Sequence, residues 1–486
     1  MKSISRRGFV SALGSGTAGL TIAPLLSLQS RLAYGGSPFG RGFGPLEPML
    51  PTNTMDLNNP AIGDLRNQPI LALPRGFEYS VVSNTGDLMA DGSTVPASHD
   101  GMAAFPGKRG ATILVRNHEL SPTSGTAVNA PDDKKYDPVC RGGTTTMVID
   151  HKGRLVKHFP SIAGTVRNCA GGPTPWGTWI TCEENVSVPP QSGVTKRHGY
   201  NFEVDAYGDG LSEPVALVEM GRFNHEAVAV DPQTGYVYQT EDRGDSCLYR
   251  FRPHRYGKLR AGGVLEALVI KEMPGVNTRT DFRQYLMQPL ACEWVKIDDF
   301  DPSSDTLRAE AQSKGAAIFS RGEGAWYGNG KIYFVCSNGG DAGKGQVFAF
   351  DPAERSCRDR GGRRGQASDG TLTLFVESVP AADLPYADPS WNSDSLEQNQ
   401  GFVVAAPDNI TVGPDGRLYL CEDGSGLEKV VGVNREGELF EVLNNVLNGS
   451  EFAGACFDDE GRFMFVNVQS PGLTCVIRGP WRRGQR

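Results

Sequence analysis

Short stretches of alternating apolar and polar residues recur along the chain from about residue 105, each entered by a turn and left by a polar cluster. Residues 111–115 run into Arg116, Asn117, His118 and Glu119, and residues 177–181 into Cys182, Glu183, Glu184 and Asn185. Residues 235–240 run into Glu241 and Asp242, and residues 330–335 into Cys336, Ser337 and Asn338. The last two copies are residues 416–420, which meet Cys421, Glu422 and Asp423, and residues 461–466, which meet Asn467. A period of two predicts a half-buried β-strand in each copy. A further strand pattern follows most of them, at 144–150, 200–205, 248–252 and 347–351. The copies are unevenly spaced, so insertions lie between strands.

About six such copies predict an all-β fold, a six-bladed β-propeller with loop insertions, because repeated short antiparallel strands can surround a central channel. A β-sandwich would also alternate, but it would not repeat an acidic cluster at the same point of every copy. In a propeller those points converge on one end of the axis. Converging carboxylates raise one another's pKa unless cations lie between them, so the pattern predicts an axial metal site. Turn chemistry accounts for any single Asp or Glu after a strand but poorly for the set.

Composition narrows the class. With 39% hydrophobic and 21% charged residues the chain is of globular type, and 61 Gly and 32 Pro mark many turns. A formal net charge of −8 argues against a nucleic-acid partner and favours cations. Ser5-Arg6-Arg7-Gly8-Phe9-Val10 is a twin-arginine pattern, followed by a weakly apolar stretch to Leu28 and a cleavage region near Ala33. A Tat signal peptide over 1–33 is expected, then a single catalytic domain over 34–486. That implies the Tat export machinery as a partner and a periplasmic or extracellular location. Gly14, Gly16, Gly19 and Pro24 suit a spanning helix poorly, so no stable membrane span is expected. The 10 cysteines lie singly, with no framework of close pairs.

Cys169 stands apart, in what reads as a Gly/Pro-rich loop over 168–177 leading to Glu183 and Glu184. A thiolate among oxygen ligands suits a transition metal better than calcium. In Ser320-Arg321-Gly322-Glu323 the Arg and Glu share one side of an extended chain. The carboxylate can then bind metal while the guanidinium faces an oxyanion such as phosphate; an Arg–Glu pair in a loop is the plainer alternative. His118 and His225 read as core residues or supports rather than ligands. The absence of a Gly-x-Ser-x-Gly elbow counts against a serine esterase.

Over most of its length the chain resembles the PhoX-type secreted alkaline phosphatases. The resemblance runs through the Tat pattern, Asn117-His118-Glu119, residues 168–185, His225-Glu226, Glu241-Asp242, Arg321-Gly322-Glu323-Gly324, Pro407-Asp408-Asn409 and Glu422-Asp423. It implies a six-bladed propeller whose axial site holds Fe(3+) and Ca(2+) ions and hydrolyses small-molecule phosphate esters. By the same resemblance Cys169 is a thiolate ligand of iron, Glu184, Glu226 and Glu323 are metal carboxylates, and Arg321 and Trp176 contact the phosphate. Asn117, Glu119, Glu241, Asp408 and Glu422 are divided among iron, calcium and their surroundings. The nucleophile then comes from the metal centre rather than from a serine. Two alternatives stand beside this. A calcium-dependent propeller lactonase shares axial carboxylates but has no use for Cys169, and a non-catalytic, metal-stabilised propeller would bind partners on its open face.

Overall fold

The structure, a computed structural model, describes residues 41–190, 193–352 and 369–482, and the expected signal peptide lies outside them. Each alternating copy in the sequence forms the second strand of an antiparallel sheet: Thr112–His118, Thr178–Glu183, Val237–Glu241, Lys331–Cys336, Leu418–Glu422 and Phe463–Val468. Paired to these, in the same order, are β1 (His99–Pro106), β2 (Asn168–Pro173), β3 (His225–Val230), β4 (Gly322–Gly328), β5 (Pro407–Val412) and β6 (Phe452–Phe457). These first strands pack side by side in a closed circuit, β1 on β2 and so on to β6, which returns to β1. The sheet begun by β6 is completed by Glu78–Asn84, so an N-terminal strand locks the C-terminal one into the circuit. The sheets begun by β3 and β4 are fused through Pro289–Lys296, which pairs with Gly263–Ile270 on one side and Thr371–Glu377 on the other. The architecture is all-β and propeller-like. Its α-helices among the described residues are short insertions, α1 (Leu307–Ser313) and α2 (Ser393–Gln398), and no described helix is long and apolar enough to cross a membrane.

Close packing of the circuit explains its small residues. A Cβ on Gly324 of β4 would sit 2.5 Å from the Asp408 carbonyl of β5, and one on Gly101 of β1 would sit 2.6 Å from the Ala170 Cα of β2. Gly454 of β6 adds a left-handed φ of +62°, which a side chain would strain. The stretch 168–177, expected as a loop, is instead β2 followed by a turn. Its glycines serve close approach: a Cβ on Gly172 would overlap the Val228 carbonyl of β3, and one on Gly171 would meet the Trp179 ring.

Every strand of the circuit carries a register shift near its start: His99/Met102, Asn168/Gly171, His225/Val228, Gly322/Ala325, Pro407/Ile410 and Ala453/Cys456. Such a bulge bends the strand and re-aims the side chain it carries. The same local device therefore recurs at one end of all six, and in the first five it lies beside the residue that the strand contributes to the site.

Candidate metal centre

The pairing registers define equivalent positions. The first residue of each inner strand opposes the last of its neighbour: His99 and His118, Asn168 and Glu183, His225 and Glu241, Gly322 and Cys336, Pro407 and Glu422, Phe452 and Val468. One step on in the inner strands stand Asp100, Cys169, Glu226, Glu323, Asp408 and Ala453. One step past the partner strands stand Glu119, Glu184, Asp242, Ser337, Asp423 and Gln469. These two sets supply the site. Ligating atoms of Glu119, Cys169 and Glu184 lie within 4.8 Å of one another, as do those of Glu226, Glu323 and Asp408. Asp100, Glu119 and Glu451 form a third such group.

The electrostatics of this cluster call for cations. Burial, then the Asp408 and Glu323 carboxylates, holds the Glu226 pKa well above the ordinary range. Burial followed by Asp423 and Asp242 does the same to Asp408, and burial followed by Glu119 and Asp408 to Asp100. Glu323 is raised by burial and then by Asp408 and Asp242. Glu119 is pushed up to about 7, chiefly by burial, with Arg167 opposing, and Glu451 to about 12 by burial and a hydrogen bond with Asp423. The Cys169 thiol is raised by burial and then by Asp100 and Glu226, and its Sγ lies 3.8 Å from Asp100 Oδ2. Glu226 Oε1 is buried and has no hydrogen-bond partner among the described residues. An orphaned acceptor among repelling carboxylates is the setting in which a metal ion supplies the missing positive charge. The donors fit two kinds of ion, a transition metal at the thiol and a hard cation at the all-oxygen groups.

Two arginines close the mouth. Arg321 donates from Nε and Nη2 to the two Asp242 oxygens, at 2.8 and 3.1 Å, and its Nη2 lies 3.0 Å from Glu323 Oε1. The shared side expected for Arg321 and Glu323 is thus present. Arg167 bridges Glu119, at 2.6 Å, and Glu184. Asp242, a neighbour of the expected Glu241, is what orients Arg321.

Four expected site residues are not brought into this group. Asn117 is fully committed within the fold: its Nδ2 donates to the Cys169 and Ala170 carbonyls, and its Oδ1 accepts from Trp179 Nε1 and Thr181 Oγ1. It holds β2 in place behind Cys169. Glu241 points to the opposite side of its strand, accepting from the Tyr249 hydroxyl and pairing with Arg308 at 3.2 Å. Glu422 likewise turns inward to Lys429, at 3.6 Å, and accepts from the Ala405 N–H. Trp176 lies in the turn beyond the far end of β2 from Cys169, donates to Glu203, and lines a cavity of about 1080 Å³ with Arg255, Lys258 and Arg260. His118 and His225 are buried core groups, His118 held by Ala97 and Thr145 and His225 by the Gly221 carbonyl. Asp100, Asp242, Asp423, Glu451 and Arg167 enter instead; the step-by-one relation to the paired strand ends marks the first three, while Glu451 and Arg167 each stand one residue before an inner strand.

A second group with ligand-type side chains, Asp137, Cys140 and His198, is buried beside Glu183. Among the described residues the nine cysteines are unpaired, Cys169 being the only one of them not fully buried.

Comparison with known proteins identifies the family and the fold. The Alkaline phosphatase PhoX family matches residues 58–472. Pseudomonas fluorescens PhoX in complex with vanadate, a transition state analogue, superposes with a TM-score of 0.62 at 18% identity, covering 91% of this chain and 98% of that one. A gluconolactonase from Xanthomonas campestris gives a TM-score of 0.41 at 12% identity, over 91% and 99% of the two chains. Among curated proteins none matches. The chain belongs to the PhoX alkaline phosphatase family and is a phosphoric ester hydrolase.

Proposed function

We propose that this chain is an exported phosphatase in which a Tat signal over 1–33 is removed and residues 34–486 form one six-bladed propeller with iron and calcium at its axial end. The closed circuit of β1 to β6 supports the blade count, and the twin-arginine pattern supports export. The observation that carries the reading is the convergence of Cys169 with Asp100, Glu119, Glu184, Glu226, Glu323, Asp408 and Glu451 at one end of that circuit. Glu119, Cys169 and Glu184 would hold iron, since a soft thiolate joins the carboxylates there. The all-oxygen groups, Glu226 with Glu323 and Asp408 and Asp100 with Glu451, would hold further iron or calcium.

When bound, such ions neutralise charge on the phosphoryl oxygens and supply an activated nucleophile, the two needs of a phosphate ester whose hydrolysis in water is extremely slow. Arg321 meets the phosphoryl group. Its plane is set by the two bonds to Asp242, which leave Nη1 to donate to a phosphoryl oxygen. Asn117 keeps the Cys169 backbone fixed, so the thiol does not have to be ordered at each turnover.

Elemental analysis of the exported protein tests this, combined with turnover of a chromogenic phosphate ester before and after chelation. Iron and calcium should leave together with activity. An active, iron-free protein sinks the iron assignment, and a protein loaded with both metals that hydrolyses no phosphate ester sinks the catalytic reading.

A further inference from the structure

We propose that Arg167 is a second phosphoryl-binding arginine, acting with Arg321, and that the pair selects dianionic phosphate monoesters over monoanionic diesters. This rests on the phosphatase reading of the same site.

Arg167 and Arg321 occupy equivalent places. Each stands two residues before the axial residue of its inner strand, Cys169 in β2 and Glu323 in β4, and each has a left-handed φ, 47° and 52°. Their backbones are wired alike. The Arg167 N–H donates to the Leu120 carbonyl at 3.0 Å, and the Arg321 N–H donates to the Arg243 carbonyl at 2.8 Å. In return the Arg167 carbonyl accepts from Glu184 N at 3.0 Å, and the Arg321 carbonyl accepts from Ser337 N at 3.1 Å. Each guanidinium bridges an acid of the preceding sheet, Glu119 or Asp242, and one of its own sheet, Glu184 or Glu323. The turn does not require arginine, because Ser98, Asn224, Ala406 and Glu451 stand at the other four equivalent positions.

Both guanidiniums also face outward. The Arg167 side chain is 42% exposed and that of Arg321 39%, whereas Arg116 and Arg222, which brace the interior, are buried. Both ion pairs of Arg167 use Nη2, and among the described residues its Nε and Nη1 carry no hydrogen bond. It therefore has more unspent donors than Arg321, which commits Nε and Nη2. β2 and β4 pack on each other as well as on β3, and Arg167 and Arg321 stand at the same end of those strands, so the two guanidiniums border one end of the circuit. A monoester presents three non-bridging oxygens and two negative charges there, and a diester only two oxygens and one charge. The three unspent guanidinium nitrogens, two of Arg167 and one of Arg321, match the first and exceed the second.

The test uses metal-loaded protein carrying Arg167→Gln or Arg167→Lys. Metal content, melting temperature, inorganic phosphate binding by calorimetry, and kcat/KM on p-nitrophenyl phosphate and bis(p-nitrophenyl) phosphate are measured. Arg167→Gln should keep its metals and melting temperature, lose about ten- to a hundredfold in monoester kcat/KM, weaken phosphate binding in parallel, and change diester kcat/KM by less than about threefold. Arg167→Lys should fall between, having charge without the fork. Equal loss on both esters, or loss that follows metal or melting temperature, overturns the proposal. Unchanged phosphate binding in Arg167→Gln overturns it while the phosphatase reading stands. A wild-type protein that cleaves neither ester and binds no phosphate overturns both.

Discussion

Glu183 and Glu184 are neighbours in sequence, yet their carboxylates serve two groups that balance charge in opposite ways. Glu184 faces the axial centre, where carboxylates and the Cys169 thiol outnumber the cations that the chain supplies. Glu183 faces the buried group of Asp137, Cys140 and His198, where every acceptor is matched. Glu183 Oε1 accepts from Val166 N at 3.0 Å and from His198 Nδ1 at 2.7 Å, and its Oε2 accepts from Gly199 N at 2.9 Å and Tyr200 N at 3.3 Å. Asp137 accepts from Val139 N, Thr195 N, Thr195 Oγ1 and Lys196 N. Both groups offer a thiol and carboxylates within reach of one ion. Only the axial one leaves an acceptor orphaned, so residue type alone does not make a metal site; an unpaid charge does.

The sharpest way to break this contrast is to change one thiol in each group. Cys169→Ser should lower iron content and reduce turnover by about a hundredfold or more, since a soft ligand is replaced by a hard one. Cys140→Ser should keep metals and turnover within about twofold and cost about 1 kcal/mol of stability. Metal analysis and turnover on the two purified variants decide it. Metal loss in Cys140→Ser would make the buried group a second metal site and erase the distinction.

Next in size is Arg321. Arg321→Lys should reduce kcat/KM by about tenfold and Arg321→Ala by about a hundredfold or more, with metals retained and phosphate inhibition weakened. Glu323→Ala, two residues on, should instead lose metal. If the activity of Arg321→Ala simply follows its metal content, Arg321 belongs with the ligand scaffold rather than with the substrate.

The smaller third effect separates the two faces of one strand end. Asp242→Asn should loosen Arg321 and lower kcat/KM by about tenfold, with the fold intact. Glu241→Gln should spare kcat/KM but cost about 1 kcal/mol in stability, because Arg308 loses a buried partner yet keeps Asp245 and Asp305. Paired melting and kinetic measurements read both, and exchanged outcomes would mean that the strand is aimed the other way.

That parity is where the sequence stopped being informative. The six alternating copies were legible because their strands have one face against each neighbouring sheet, and all six are strands in the structure. The inner strands escaped notice because close approach demands Gly101, Gly171, Gly172, Gly324 and Gly454, and the bulges interrupt alternation. Asp100 and Glu451 lie on or beside those strands, where alternation does not reveal them, and the glycines and prolines after Cys169 read as a loop. Glu119 and Glu184 follow a strand pattern and Glu226 and Glu323 precede one, whereas Asp408 is reached only through the family resemblance. Between Glu241 and Asp242, or Glu422 and Asp423, the choice depends on Arg308 and Lys429, partners that no local pattern indicates. Asn117 looked like a ligand because a polar residue on a buried strand needs partners; those partners are the β2 backbone and the Trp179 and Thr181 side chains.

The least of the expected effects concerns the self-balanced group and appears in stability rather than turnover. Burial works against a charged His198, but Glu183 and Cys140 outweigh it and hold its pKa up to about 10, against about 6.5 in an unfolded chain. A raised folded-state pKa contributes stability that is complete below about 6.5 and is lost as pH rises toward 10. Buried neutral His99, His118 and His158, lowered by burial and then by Arg116, act on the other side and cost stability as pH falls below about 6.5. That acid-side loss is common to wild type and His198→Gln and cancels in their difference. The stability gap between the two proteins should therefore be largest near pH 6, on the order of 2 kcal/mol, and should shrink steadily toward pH 10. Denaturant unfolding at several pH values measures the gap. A gap that is constant across this range would mean that His198 is neutral in the fold, and that Glu183 and Asp137 are balanced by their backbone donors and the Thr195 hydroxyl.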